Sequence, residues 1–475
     1  MGTTTLDAEG QCMRLSIIGA GYVGLTTGTC LAELGHHVTC IDMNEERVAR
    51  LRAGEVPIYE PELHELMASN IEAGRLLFSA DTRTGVADAD AVFIAVGTPS
   101  LADGDIDLSF VQEAARGIAK VIKPNCVVVV KSTVVVGTCR ALREIIAEER
   151  GALDFSIASN PEFLREGTAV RDFLEPERVV FGSDDPRACA VLEQIYKPLA
   201  DRGVTVMRTS NANAELIKYS ANAFLALKIG FINDVANLCE QVGGDVSAVA
   251  AGIGLDSRIG SAFLSAGPGF GGSCFPKDTR AFAVTGRKHD APQGLIETLI
   301  EGNGARSQML AERVLAELGS EADGATIAVL GLAFKANTDD IRESPSLAII
   351  PWLQKAGCRI RAHDPKAMME AAKQLDDISF CEDAYDAAKD ADGVIVLTEW
   401  DEYRRLDLAR LAGTMRGSVL ADYRNLWLPS DMTDLDLTYL SIGRPTIHHA
   451  SGTATVAKPA ARKVERSIAA GSSAG

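Results

Sequence analysis

The chain has 475 residues, enough for about three domains and a large core. Its 47% hydrophobic and 24% charged content is that of a globular protein, and its formal net charge is -18. That acidity argues against nucleic acid or an anionic membrane surface as partner, while an anionic small molecule can still sit in a local basic pocket.

No apolar run approaches the ~20 residues of a membrane helix, and the first residues lack a charged-then-apolar leader pattern. The expected location is therefore the cytoplasm. Ten cysteines are scattered without a CxxC pair or zinc-ligand spacing. No metal site is expected, and most of these cysteines read as small buried hydrophobes.

In chain order, strand candidates at 15–18, 37–41, 91–96, 126–131 and 155–159 alternate with apolar-periodic helical segments such as 24–34 and 108–122. The alternation predicts a parallel sheet with helices on both faces. Gly19-Ala-Gly-Tyr-Val-Gly24 follows the first strand and opens a helix. Gly19 permits the tight turn, Gly21 lets the backbone approach a pyrophosphate, and Gly24 lets the helix pack on the sheet. The helix N-terminus offers unpaired N–H groups to the phosphates. Asp42 ends the second strand, 18 residues after Gly24, where a carboxylate meets an adenosine ribose and favours NAD over NADP. Arg47 either offsets that charge or stacks on the adenine. Thr98 and Thr133 follow two further strand ends, where doubly wound sheets bind ligands.

Asn160-Pro-Glu-Phe-Leu-Arg-Glu166 follows another strand end and supplies Glu162 and Glu166. Loop carboxylates taken alone are mostly just solvated. From 212 to about 264 the pattern is helical, with few turn signals, and a long helix between two domains is a natural homodimer surface. Lys218 and Asn222 are four apart, so they share one face of an otherwise largely apolar helix. A lysine in that setting is ordinarily a snorkelling surface residue, and its pairing with Asn222 raises the case for a site.

Gly269-Phe-Gly-Gly-Ser-Cys-Phe-Pro-Lys-Asp278 comes next. Gly267, Gly269, Gly271 and Gly272 let backbone approach a ligand closely. Pro276 suits the first position of a helix, which puts Cys274 just before a helix N-terminus, where the dipole and free N–H groups lower a thiol's pKa. Lys277 adds positive charge. Asp278 opposes thiolate formation, so it suits orienting water or balancing a lysine. The plainer reading of Cys274 is a buried cysteine in a flexible loop. A thiol beside a nicotinamide cofactor suggests one chemistry: addition to an aldehyde gives a thiohemiacetal, hydride loss gives a thioester, and water releases a carboxylate.

Helix continues over 295–318. Strands return at 326–330, 359–363, 393–397 and 419–422. The expected fold is thus α/β, with two Rossmann-like doubly wound domains joined by a long central helix and a helical middle. The expected division is 13–210, 211–320 and 321–448. A tail at 449–475, rich in Ala, Ser, Gly and Thr with scattered basic residues, reads as disordered, the other reading being a helix that docks on a partner.

The segments GAGYVG, GTPS, STVVVGT, SNPEFLREGTA, ELIKYSANAFLALKIGFIND, GPGFGGSCFPKD, GLAFKANTDDIRESPS and DYRN, in this order over about 13–430, resemble the nucleotide-sugar dehydrogenases, the family acting on UDP-glucose, GDP-mannose and UDP-N-acetylmannosamine. The resemblance implies four-electron oxidation of a sugar C6 alcohol to the acid with two NAD+, UDP-glucose to UDP-glucuronate being the leading substrate pair. It implies Cys274 as nucleophile, Lys218 and Asp278 in proton transfer and oxyanion stabilisation, Asn222 at the C6 oxygen, and Glu162, Glu166 and Thr133 positioning water and protons. Gly19, Val23, Asp42, Arg47, Thr98, Thr133, Glu166, Lys277 and Arg342 are implied to meet NAD. Phe163, Leu164, Lys218, Asn222, Phe270, Gly271, Lys335 and Arg424 are implied to line the sugar-nucleotide site, with Arg258 reaching the partner subunit's site. The second α/β domain has GLAFK in place of GxGxxG, which fits a nucleotide but not a second NAD. Two departures stand out. Val135 replaces the family's usual proline and is expected to loosen a turn, and Tyr423 stands beside Arg424 where many members have glycine. The competing readings are the same chemistry on another nucleotide sugar, a non-catalytic sensor, and a one-step alcohol dehydrogenase with a structural Cys274.

Overall fold

The computed structural model describes residues 12–151 and 154–448, so the 449–475 tail lies outside the described residues. The N-terminal sheet has strands β1 (Arg14–Ile18), β2 (His37–Ile41), β3 (Leu76–Ser79), β4 (Ala91–Ile94), β5 (Val127–Val130), β6 (Ser156–Ser159), β7 (Arg178–Gly182) and β8 (Thr205–Thr209). Their order is β3-β2-β1-β4-β5-β6-β7-β8, and only β6 and β7 pair antiparallel, at Ser159 and Gly182. Successive residues of a strand point to opposite faces, and the core divides accordingly. Ile17, Phe93 and Val129 join one apolar layer, while Ile18, Ile94 and Val130 join the other.

The second sheet has β9 (Thr326–Leu330), β10 (Arg359–His363), β11 (Ile378–Phe380), β12 (Gly393–Val396), β13 (Val419–Asp422) and β14 (Thr438–Ser441), ordered β11-β10-β9-β12-β13-β14 and parallel throughout. In both sheets the chain order reverses beside the first strand, which opens a crevice at the carboxyl ends.

Between the sheets runs a 32-residue helix, Asn211–Val242, about 48 Å long. Ser210 caps it by accepting from the Asn213 N–H, and Gly243 ends it in the left-handed conformation. Helices Phe275–Lys288 and Gly294–Leu318 pack beside it. The expected helical stretch to about 264 breaks at Gly243 and resumes as Val246–Gly254. Among the described residues no helix is long and apolar enough to cross a membrane.

The sequence reading passed over β3, β7, β8, β11 and β14. β3, β8, β11 and β14 are the edge strands of their sheets and β7 lies next to β8. β8 is largely exposed along its length and β11 has only three residues.

Candidate active site

The first glycine turn has the geometry a dinucleotide needs. A Cβ on Gly24 would lie 1.8 Å from the Gly19 carbonyl oxygen, so only glycine lets the helix Tyr22–Glu33 start there. A Cβ on Gly21 would meet nothing within 4 Å, so its backbone faces open space where a pyrophosphate can approach. Val23 packs against the apolar layer behind this turn. Asp42 accepts from the Ala20 N–H at 2.9 Å and from Arg47 at 3.1 Å. That ion pair is what the charge-offset reading of Arg47 expects. Buried Thr98 and half-buried Thr133 sit beyond the carboxyl ends of β4 and β5. These residues fit NAD.

The Glu162–Glu166 loop is tied to this turn. Glu60 accepts from the Gly167 and Ala169 N–H groups, both at 2.7 Å, and also binds the Tyr22 hydroxyl. Glu162 then faces the central helix, where its carboxylate accepts from Lys218 at 2.9 Å. Lys218 and Asn222 are 3% and 6% exposed, so their shared face is the buried one. Asn222 donates to Asp278 at 2.6 Å, and Lys277 pairs with the other oxygen of Asp278 at 2.7 Å. Lys277 thus balances Asp278 rather than standing beside the thiol.

Cys274 is the N-cap of Phe275–Lys288, so the helix begins one residue before Pro276. The expectation of a depressed thiol pKa fails. Burial pushes the Cys274 thiol up to about 11, with Glu162 and Asp278 adding to the rise and Lys218 and the Ser273 hydroxyl opposing it. Desolvation of a thiolate outweighs the helix dipole here. Burial alone would depress Lys218, but the charges of Glu162, Cys274 and Asp278 raise it. Burial works against an ionised Glu162, yet Lys218 and the Leu164 N–H hold it below the usual carboxylate range.

Two cations lie over the Phe163 ring, Arg178 at 4.2 Å from its centre and Lys218 at 5.5 Å. Phe270 is buried, its N–H held by Asn303 at 2.9 Å. Gly271 presses on the second domain, where a Cβ would lie 2.2 Å from the Glu343 oxygen. That domain brings Lys335, Arg342 and Arg424. Arg342 reaches Glu166 at 3.3 Å. Arg424 is fixed by the Leu397 and Phe334 carbonyls at 2.7 and 2.8 Å and by Glu399 at 3.0 Å. Tyr423 stabilises this arrangement, because its hydroxyl donates to the Leu310 carbonyl at 2.7 Å. Val135 does not leave a loose turn either: Glu215 accepts from the Gly137 and Cys139 N–H groups at 2.8 and 2.9 Å and fastens it. Arg258 stays outside this cluster, with its side chain 87% exposed and paired to Asp256.

The sequence reading missed Lys131, a buried lysine at the end of β5 that donates to Asn160 at 3.1 Å. Burial lowers its pKa to about 8, with Glu162 opposing and Lys218 reinforcing that shift. Beside it lies a cavity of about 40 Å³ lined by Asn160, Glu162, Phe163 and Tyr196, large enough to hold water. In the sequence it shows only as a lysine ending a run of four valines, with no local mark of its burial.

The site therefore combines a thiol, a buried ammonium–carboxylate pair, an amide–carboxylate pair and a dinucleotide turn. Comparison with known proteins shows the family. Residues 13–200 match the NAD binding domain of the UDP-glucose/GDP-mannose dehydrogenase family, 212–305 its central domain and 328–429 its UDP binding domain. The chain is 49% identical over 436 residues to a UDP-glucose 6-dehydrogenase of Rhizobium meliloti (strain 1021), covering 91% of this chain and 100% of that one. It superposes on a UDP-glucose dehydrogenase of Pyrobaculum islandicum with a TM-score of 0.86 at 39% identity, over 92% and 100% of the two chains. A UDP-D-ManNAc dehydrogenase of Pyrococcus horikoshii gives 0.81 at 25% identity, over 91% and 99%. With three successive domains matched and half the residues shared with a full-length relative, the chain belongs to the UDP-glucose/GDP-mannose dehydrogenase family.

Proposed function

We propose that this protein oxidises the C6 alcohol of UDP-glucose to the carboxylate of UDP-glucuronate, with Cys274 carrying the sugar as thiohemiacetal and then thioester. The observation that carries the reading is the meeting of Cys274, the Lys218–Glu162 pair and the Asn222–Asp278 pair between the two sheets. The 49% identity to a UDP-glucose enzyme, against 25% to the UDP-D-ManNAc enzyme, supports the choice of sugar.

The Gly19–Gly24 turn would hold NAD, which would supply the hydride acceptor for each of the two oxidations. Asp42 and Arg47 hold the adenosine end, with Val23, Thr98, Thr133 and Lys277 along the cofactor. Lys335 and Arg424 supply the positive charge that a nucleotide diphosphate needs in an acidic protein. Phe163, Leu164, Phe270 and Gly271 wall the sugar. Asn222 donates to the C6 oxygen, and Lys218, held as an ammonium, stabilises oxyanion charge as sulfur adds to the aldehyde. Glu162, held ionised, orients the water that hydrolyses the thioester.

The partner arrangement belongs to the same reading. Phe224, Phe231, Leu238 and Val242 leave a stripe of exposed apolar side chains along the central helix, 54–70% exposed. A second copy of the chain covers it, forming a homodimer in which Arg258, next to exposed Leu255 and Ile259, reaches the partner's site. The working division is 13–210, 211–320 and 321–448, in the cytoplasm.

The deciding experiment runs limiting UDP-glucose to completion with excess NAD+ and counts NADH. Two NADH per sugar, with UDP-glucuronate as product, supports the reading. One NADH and a free aldehyde overturns the thioester, and no NADH overturns the substrate.

A further inference from the structure

The sulfur of Cys274 lies 3.5 Å from the hydroxyl of Ser273, and the same hydroxyl donates to Glu166 Oε1 at 3.0 Å. None of the roles above uses Ser273. The thiol must nonetheless lose a proton as it adds to an aldehyde, and each neighbour can be asked whether it can take one.

Lys218 is ion-paired with Glu162 and held as an ammonium, so it has no lone pair to offer. Asp278 already accepts from Asn222 on one oxygen and Lys277 on the other. Glu162 accepts from Lys218 and is held ionised below the usual range, which makes it a weak base. Glu166 differs. Burial and the nearby Asp340 push its carboxyl up to about 7, with Arg342, Ser273 and Lys335 opposing them. A base whose pKa lies near the working pH is the efficient one.

We propose that Ser273 relays the proton of Cys274 to Glu166 when the sulfur attacks. The inference rests on Cys274 being the nucleophile. The Sγ–C bond forms, and the electron pair of the carbonyl π bond moves to oxygen beside Lys218. The thiol proton passes to Ser273 Oγ, and the proton already on Oγ passes to Glu166 Oε1. Nothing is oxidised or reduced in this step. Glu166 ends as a carboxylic acid and returns its proton to solvent before the next attack.

Two further contacts fix the acceptor. Thr338 donates to Glu166 Oε2 at 3.3 Å, and Arg342 approaches Oε1 at the same distance. Both come from the loop after β9, so the relay is aligned when the second domain is seated on the first. The charged groups around the thiol are Lys218, Glu162, Asp278 and Arg342. Those around Glu166 are Asp340, Arg342 and Lys335, with the Tyr22 hydroxyl facing it as well. Glu166 is the one whose shift falls near pH 7.

Carbamidomethylation by iodoacetamide tests the relay without substrate or turnover. The same bonds change at sulfur, with iodide as leaving group. The rate is followed on the Cys274 peptide of the full chain across about pH 5 to 9, because Cys12 is also exposed. The native protein is expected to show a rise with its midpoint near pH 7. Ser273→Ala and Glu166→Gln are expected to lose that rise, with a rate about tenfold lower at pH 8. Ser273→Thr keeps the hydroxyl and is expected to keep the rise. An unchanged profile in Ser273→Ala overturns the relay. So does a loss in Ser273→Thr equal to that in Ser273→Ala while both unfold at the native temperature. Failure of the nucleophile reading is seen separately, as two NADH per UDP-glucose from Cys274→Ala.

Discussion

Lys218 and Glu162 face each other at 2.9 Å with side chains only 4% and 5% exposed, one from the N-terminal part of the central helix and the other from the loop after β6. The pair fastens the central helix to the N-terminal domain and sets the charge beside Cys274. Each partner keeps the other ionised against burial, which leaves a fixed positive charge and a fixed carboxylate beside Cys274.

Lys218→Met should therefore fail twice. Breaking a buried pair from one side strands the other charge and costs about 3–5 kcal/mol in stability, read by urea unfolding. Glu162→Gln added to that variant should recover part of the loss, because the stranded charge is gone. Turnover should stay lost in both. Full additivity of the two stability changes would refute the coupling.

The same pair predicts how stability changes with pH. Glu162's folded pKa is depressed, so its contribution is present above the unfolded carboxylate value and is lost as pH falls through the folded one. Lys218's folded pKa is raised, so its contribution is complete below the unfolded lysine value and is lost only as pH rises through the folded one. Urea midpoints of Lys218→Met and the native chain should differ most at neutral pH and converge in acid. A constant gap down to about pH 2 would contradict this.

Cys274→Ser keeps a nucleophile in the same place but swaps a good leaving group for a poor one. The expected result is a fall in turnover of at least about 10³-fold, with an ester on the protein visible by intact mass after UDP-glucose and NAD+ are added. Native-like turnover would return Cys274 to a structural role.

Much of this site is legible in the sequence. The Gly19–Gly24 turn and Asp42 follow from local spacing, and the buried face of Lys218 and Asn222 follows from helical periodicity. What spacing cannot carry is the proton affinity of a group. Cys274 sits at a helix N-terminus as read, yet its thiol is raised because burial outweighs the dipole. Lys131 escaped because nothing local to VVVVK reveals that Glu162 and Asn160 will close over the lysine from other elements. The setting of Arg424 depends on Tyr423 being anchored to Leu310, a residue 113 positions away, and no local pattern carries that contact.

Asp42→Ala tests cofactor choice. Its carboxylate holds Ala20 in the glycine turn and neutralises Arg47. Removing it should weaken NAD+ binding by about ten- to hundredfold and free Arg47 to meet a 2′-phosphate. Titrating NAD+ and NADP+ against the variant reads both effects. An unchanged preference would mean that the loop backbone, not the carboxylate, sets it.

Gly271→Ala probes the seat between the glycine loop before Cys274 and the second domain. A methyl there would lie 2.2 Å from the Glu343 carbonyl oxygen, and neighbouring Gly272 donates its N–H to the Arg342 carbonyl at 2.7 Å. The backbone on both sides is committed, so the loop must move by more than a side chain can absorb. The expected cost is about 1–3 kcal/mol in stability, with both sheets intact by circular dichroism. Because Arg342 and Thr338 reach Glu166 from that same loop, KM for UDP-glucose should rise and the pH 7 rise in Cys274 alkylation should flatten together. A variant that lost stability alone, with KM and the alkylation profile unchanged, would show that the seat packs the two domains without aligning the chemistry.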